Sequence, residues 1–158
     1  MKIVSLASGS KGNAYIIEHD GEALVVDCGI GPRVFKQRFA SLFPGALRFH
    51  GVLLTHNHSD HISGLQAFLK NNPEVPVFAN YLTAESTGFE TGIGPSAFVC
   101  FENGQCFCAG PFSVETFSLP HDASDPVGFL IEADETYFHA TDFGTPVKSA
   151  GLSLSKAH

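Results

Sequence analysis

No stretch of the 158 residues approaches the ~18–20 consecutive apolar residues of a membrane-spanning helix, so a helical membrane protein is not expected. Charge is scarce as well. Only 16% of residues are charged, and 9 Lys and Arg stand against 16 Asp and Glu, for a formal net charge of −7. That balance argues against a broad basic surface for nucleic acid. It leaves room for an enzyme acting on nucleic acid, because bound divalent cations bring their own positive charge. The four cysteines form no CxxC pair: Cys28 is alone, and Cys100, Cys106 and Cys108 flank a turn at Glu102-Asn103-Gly104. Reduced, half-buried strand cysteines are expected there in preference to a zinc cluster. No signal peptide is expected either, since Met1-Lys2-Ile3-Val4 enters a strand pattern that Ser8-Gly9-Ser10 breaks. One cytoplasmic domain spanning residues 1–158 is the expectation.

What is present centres on Leu53-Leu54-Thr55-His56-Asn57-His58-Ser59-Asp60-His61, which puts three of the eight histidines and one carboxylate within six positions. The apolar run from Val52 to Leu54 reads as a buried strand, and residues 63–70 follow with helical spacing. The motif is therefore expected on a loop between strand and helix. His56 and His58, two apart on extended chain, point the same way. Asp60 and His61 are adjacent and expected to diverge, facing a second point a few ångströms on. Imidazole and carboxylate suit zinc or a similar first-row ion. His121, after Leu119-Pro120, supplies the third nitrogen that His56 and His58 lack. Asp142, at another strand end, is placed to bridge two cations, each carboxylate oxygen serving one ion.

The rest of the chain reads as alternating strands and helices. Strands are expected at 2–6, 14–18 and 23–26, the last apolar throughout and central. The intervening Ala7-Ser8-Gly9-Ser10-Lys11-Gly12-Asn13 lacks GK[ST] and leads to a strand, so it is not a P-loop. It is expected to be a tight turn with positive φ, with Lys11 able to approach a phosphate. Asp27 ends the third strand, as a helix cap or as a carboxylate that orients a ligand histidine. Pro32 opens a helix to about Ala40, and its Arg33, Lys36 and Arg38 make it the most basic stretch. A strand at 75–79, a helical turn at 83–88 and a glycine-rich loop at 89–95 come next. Strands at 97–101, 105–108, 112–119, 126–133 and 135–140 complete the pattern. His19, His50, His139 and His158 lie in no ligand-like context.

Thr55-His56-x-His58-x-Asp60-His61, with later His121 and Asp142, resembles the metallo-β-lactamase fold superfamily. Ser5-Leu6-x-Ser8-Gly9-Ser10-x-Gly12-Asn13-Ala14 is similar to its YycJ/WalJ-like branch. So are His121-Asp122-Ala123-x-Asp125-Pro126-Val127-Gly128-Phe129 and Ala140-Thr141-Asp142-x-Gly144. The resemblance implies an α/β fold, an αββα sandwich with a dinuclear metal site at one edge of its sheets. It implies His56, His58 and His121 on a first divalent ion, Asp60 and His61 on a second, and Asp142 between them. The ions would be zinc, with manganese or iron as alternatives. Asp27 matches the aspartate that supports such a site from behind, Asp60 and His121 match the catalytic positions, and Lys11 and Asn13 fall in a segment that could meet substrate. The branch is associated with 5′→3′ exonuclease activity on DNA and with DNA repair.

The family pattern continues past Asp142 into further strands, helices and a late histidine, and nothing through His158 matches them. The second half of the sandwich is expected to be incomplete, with edge strands exposed to a partner chain or second copy. A metal-dependent phosphodiesterase is the leading expectation. A thioester- or lactam-hydrolysing relative, or a truncated metal-binding chain without catalysis, are the alternatives.

Overall fold

A computed structural model of the protein describes residues 1–119 and 125–141. Two sheets face each other. The larger holds six strands, β1 (Lys2–Ala7), β2 (Ala14–His19), β3 (Glu22–Cys28), β4 (Arg48–Leu53), β5 (Val77–Asn80) and β6 (Phe98–Phe101), side by side in that order. β1, β2 and β3 pair antiparallel, whereas β3 through β6 run parallel. The smaller sheet is an antiparallel meander of β7 (Cys106–Ala109), β8 (Phe112–Ser118), β9 (Val127–Glu132) and β10 (Thr136–His139). The parallel strands need crossovers, and these are helical: α1 (Pro32–Leu42), the short α2 (Ser59–Ile62), α3 (Leu65–Asn71) and α4 (Tyr81–Thr91). Among the described residues no helix is long and apolar enough to cross a membrane.

The central strands are apolar on both faces because both are covered. In β3, Ala23 and Val25 join a core with Ile62, Leu65 and Phe68 of the helical layer. Leu24 and Val26 point the other way, into a second core with Phe112, Val114, Phe129 and Ile131 of the smaller sheet. Strand alternation thus turns one sequence run into two cores. The abundant phenylalanines divide between them. Phe35, Phe39, Phe43, Phe49 and Phe68 form ring contacts in the helical layer. Phe78, Phe101, Phe107 and Phe129 do so between the sheets. Phe112 and Phe129 are fully buried, and truncating either to Ala would cost roughly 3–5 kcal/mol. The described layers are helices, sheet and sheet, the order expected of an αββα sandwich, with no outer helical layer among the described residues.

Several boundaries differ from the sequence expectation. α4 is a full helix, not a turn followed by a loop from residue 89. Asn80 caps its start, accepting from the Thr83 amide at 2.9 Å, and Gly92 ends it at φ 72°. Residues 95–97 form a 3-10 turn ahead of β6. Cys106 and Cys108 are exposed on the edge strand β7, while Cys28 is buried. Phe89, Tyr81, Leu82, Val99 and Phe138 are the large apolar side chains left most open. Phe138 lies on β10 at one edge of the smaller sheet and stacks on Phe117 at 4.8 Å.

Candidate metal centre

In open α/β sheets, chemistry collects outside the carboxyl ends of the parallel strands. Asp27 sits at that end of β3, the histidine motif directly follows β4, and Asn80 ends β5. Asn13 opens onto the same edge, because antiparallel β2 begins where β3 ends, with Ala14 opposite Cys28. Backbone bonds lock these pieces together. The Asn13 amide donates to the Asp60 carbonyl at 2.7 Å, Gly29 donates to the Asn13 carbonyl at 2.8 Å, and Gly64 donates to the Cys28 carbonyl at 2.8 Å. Gly29 is required for that closeness, since a Cβ there would stand 1.6 Å from the Asp60 carbonyl oxygen.

The motif does not remain on a loop. His58 is in extended conformation and is the N-cap of α2, which carries Asp60 and His61. That helical turn changes the expected geometry. Asp60 and His61 do not diverge: Asp60 Oδ2 is 3.6 Å from His61 Nε2. The His61 ring lies 4.0 Å from that of His56, and His58 lies 4.5 Å from His56, centroid to centroid. Three imidazoles and one carboxylate therefore share one small region. Among the described residues no group of three or more His, Cys, Asp or Glu side chains is drawn tightly enough to hold an ion. His121 and Asp142, expected to complete the set, lie outside the described residues.

Behind the imidazoles is a wholly buried carboxylate. Asp27 accepts from the Thr55 amide at 2.9 Å and from the Thr55 hydroxyl at 2.8 and 3.0 Å to its two oxygens. His61 Nδ1 donates to it at 2.7 Å. Asp27 holds this position with φ 57°, a left-handed conformation that costs a non-glycine residue about 1–3 kcal/mol and collects at functional sites. The Thr55 hydroxyl gives its one proton to Asp27, so its contact with His56 Nδ1 at 2.9 Å must be one it accepts. His56 and His61 are thereby both protonated at Nδ1, and in a neutral ring Nε2 then carries a lone pair.

Asn13 gives the same answer from the opposite side. The Gly9 amide donates to Asn13 Oδ1 at 3.0 Å, which fixes the orientation of the side-chain amide. Its NH2 group then faces His61 Nε2 at 3.0 Å, Asp60 Oδ2 at 3.1 Å and the Gly9 carbonyl at 3.2 Å. A donor there demands a lone pair on His61 Nε2. His56 and His61 are thus in the tautomer that a divalent ion needs, the ring proton on Nδ1, with the His61 Nε2 lone pair beside a carboxylate and directed at Asn13 Nδ2. Asn13 is buried inside the site and braces Asp60 and His61. Lys11 is exposed on the glycine-rich turn, whose Gly9 and Gly12 have φ of 146° and 141°.

Sequence reasoning missed three contributors. Thr55, a motif residue without a ligand-type side chain, is the relay that sets the His56 tautomer. His139 is buried with its Nδ1 3.1 Å from the Tyr137 hydroxyl and its ring 4.7 Å from that of Tyr15. Burial pushes its pKa below the ordinary histidine value, with the Asp27 charge opposing. Asp125, at φ 57°, accepts from Asn80 Nδ2 through its carbonyl at 2.6 Å and from Asn103 Nδ2 at 2.6 Å, tying the start of β9 to the same sheet edge.

The chain is similar in sequence and in fold to known proteins. The chain is 35% identical over 124 residues to exodeoxyribonuclease YycJ of Bacillus anthracis, covering 77% of this chain and 46% of that protein. It is 29% identical over 143 residues to exodeoxyribonuclease WalJ of Streptococcus pneumoniae, covering 88% and 53%. The chain thus spans about half the length of the curated relatives it matches. The crystal structure of the metallo-β-lactamase fold protein YhfI from Bacillus subtilis superposes with a TM-score of 0.64 at 19% identity, over 86% of this chain and 60% of that one. The family model described as "Metallo-beta-lactamase superfamily" matches residues 7–146, from the glycine-rich turn through the motif to beyond Asp142, and on that match the chain belongs to the metallo-β-lactamase superfamily.

Proposed function

We propose that this chain carries the ligand-bearing part of a metal-dependent phosphodiesterase that hydrolyses DNA from a 5′ end. The observation that supports the metal-dependent part is the relay from His56 through Thr55 to Asp27 and back to His61, which places the ring proton of both histidines on Nδ1, the tautomer of an Nε2 ligand. The choice of DNA is supported by the likeness to two exodeoxyribonucleases. His56, His58 and His121 would hold one divalent ion and Asp60 and His61 a second, with Asp142 between them, zinc being the first candidate. Such ions supply Lewis acidity, which polarises a phosphoryl oxygen and makes water a nucleophile near neutral pH.

The chain's own groups do the positioning. Asp27 holds the His61 tautomer and, through Thr55, that of His56. Asn13 holds Asp60 Oδ2, and the Asp60 side chain is 29% exposed, so its carboxylate is open to orient an attacking water. His121 faces the substrate in this reading.

The test is cleavage of a 5′-phosphorylated, 3′-fluorescein-labelled single-stranded oligodeoxynucleotide by the chain supplied with zinc or manganese. Stepwise shortening from the 5′ end that disappears in His58→Ala is expected. Cleavage unaffected by His58→Ala, or no cleavage of DNA with either metal, overturns the proposal.

A further inference from the structure

Beside the metal centre, on the far side of Asn13, lies a cleft of about 320 Å³. Ser8, Gly9, Lys11 and Gly12 of the glycine-rich turn form one wall, and Gly31, Val34 and Arg38 of the α1 region form the other. Lys11 and Arg38 are its only charged lining residues, and no carboxylate lines it. That is unexpected in a chain with 9 basic and 16 acidic residues. Two further features point the same way. Gly31 caps α1 without a side-chain hydrogen bond, so the positive end of the helix opens onto the cleft. Arg38 Nη1 donates to the Leu6 carbonyl, which holds the guanidinium at the rim while leaving its other N–H groups to a ligand.

The cleft is coupled to the reacting region through Asn13. The Gly9 amide bonds Asn13 Oδ1 at 3.0 Å, and Asn13 Nδ2 bonds Asp60 at 3.1 Å. A group bound against the glycine-rich turn therefore has a fixed position relative to Asp60. Cations, a helix start and an absence of acid select an anion such as phosphate.

We infer that this cleft is a phosphate subsite that holds the DNA backbone next to the scissile linkage, with Lys11 and Arg38 as its two cationic contacts. This inference rests on the proposed function. Its role is to set register. A strand anchored by a neighbouring phosphate presents one linkage, and not any linkage, to the metal centre.

The experiment is a fluorescence anisotropy titration of the metal-loaded chain with a phosphorothioate dT12 carrying 3′ fluorescein, repeated across salt concentrations. Lys11→Gln/Arg38→Gln is expected to weaken binding roughly tenfold at low salt. It is also expected to reduce the slope of log K against log salt by about 1.4, or about 0.7 per single-strand phosphate contact. Lys11→Gln alone, on an exposed turn, should take about half of that slope. Arg48→Gln/Lys70→Gln removes the same charge away from the cleft and should leave the slope unchanged. If the unaltered chain binds dT12 and the Lys11/Arg38 pair loses no more than the Arg48/Lys70 pair, the subsite is overturned and the proposed function stands. If the unaltered chain does not bind dT12 at low salt, both fall.

Discussion

Asp27→Asn is the sharpest perturbation of the candidate site, because it changes one charge and almost nothing else. Asn is among the few residues tolerated at φ 57°, so the backbone can stay as it is. Its amide oxygen can still accept from the Thr55 amide at 2.9 Å. What is lost is the charge-assisted bond from His61 Nδ1 at 2.7 Å. Hydrogen bonds to charged groups are worth about 1.5–3 kcal/mol, so global stability should fall by about 2 kcal/mol. The larger consequence is for the imidazole. The new NH2 group faces His61 Nδ1, which must now accept, and the ring proton moves to Nε2 at the expense of the contact with Asn13 Nδ2. A protonated Nε2 cannot ligate, and loss of such a supporting partner costs metal affinity about 10–100-fold, or about 1.4–2.8 kcal/mol. Two assays read this separately. Long-range proton–nitrogen NMR of the metal-free protein should show His61 protonated at Nδ1 in the unaltered chain and at Nε2 in Asp27→Asn. Calorimetric zinc titration should show the weaker site. An unchanged tautomer together with unchanged zinc affinity would refute the relay.

Other expectations follow from the packing and the buried titratable groups. Gly29→Ala would force a Cβ onto the Asp60 carbonyl, so urea denaturation should show a loss of about 3 kcal/mol or more, and a loss under about 1 kcal/mol would contradict the described approach. His139 has a folded pKa held below its ordinary 6.5 by burial, so the unfolded chain takes up a proton first as pH falls. Its contribution to stability is therefore present above about pH 6.5 and lost progressively below it, and His139→Gln should flatten the decline between pH 7 and pH 5. An equal decline in both proteins would remove His139 as its source. Burial pushes the Cys28 thiol up to about 12, whereas Cys106 and Cys108 are exposed. Iodoacetamide at pH 8 should therefore label Cys106 and Cys108 rapidly and leave Cys28 unmodified in the native protein, read by peptide mass spectrometry. Native labelling of Cys28 at a comparable rate would contradict its burial.

Much of the architecture was legible because strand periodicity and turn chemistry are local. The apolar run at 23–26 could only be a strand covered on both faces, and the structure shows Ala23 and Val25 in one core and Leu24 and Val26 in the other. The helix at α4 was underestimated because its limits are written in caps, Asn80 and Gly92, and its own sequence is polar and partly exposed. Within the site, ligand-type residues were visible from clustering alone. Their mutual geometry was not. Adjacent Asp60 and His61 suggested divergence, but the chain turns helical at Ser59 and packs under Asn13, so both side chains reach the same amide. Thr55 stood in the motif, but its role was not legible, because that role depends on Asp27, 28 positions away. Asn13 was visible only as a residue that could meet substrate, and its bonds to Asp60 and His61 come from tertiary packing, which a sequence does not display.

Metal content measures the central claim most directly. The purified 158-residue chain should be loaded with zinc, dialysed exhaustively against metal-free buffer and subjected to elemental analysis, alongside His58→Ala. The account predicts at least one divalent ion retained per chain, with retention sharply reduced in His58→Ala. A chain that retains no ion, or a His58→Ala variant that retains as much as the parent, would contradict it.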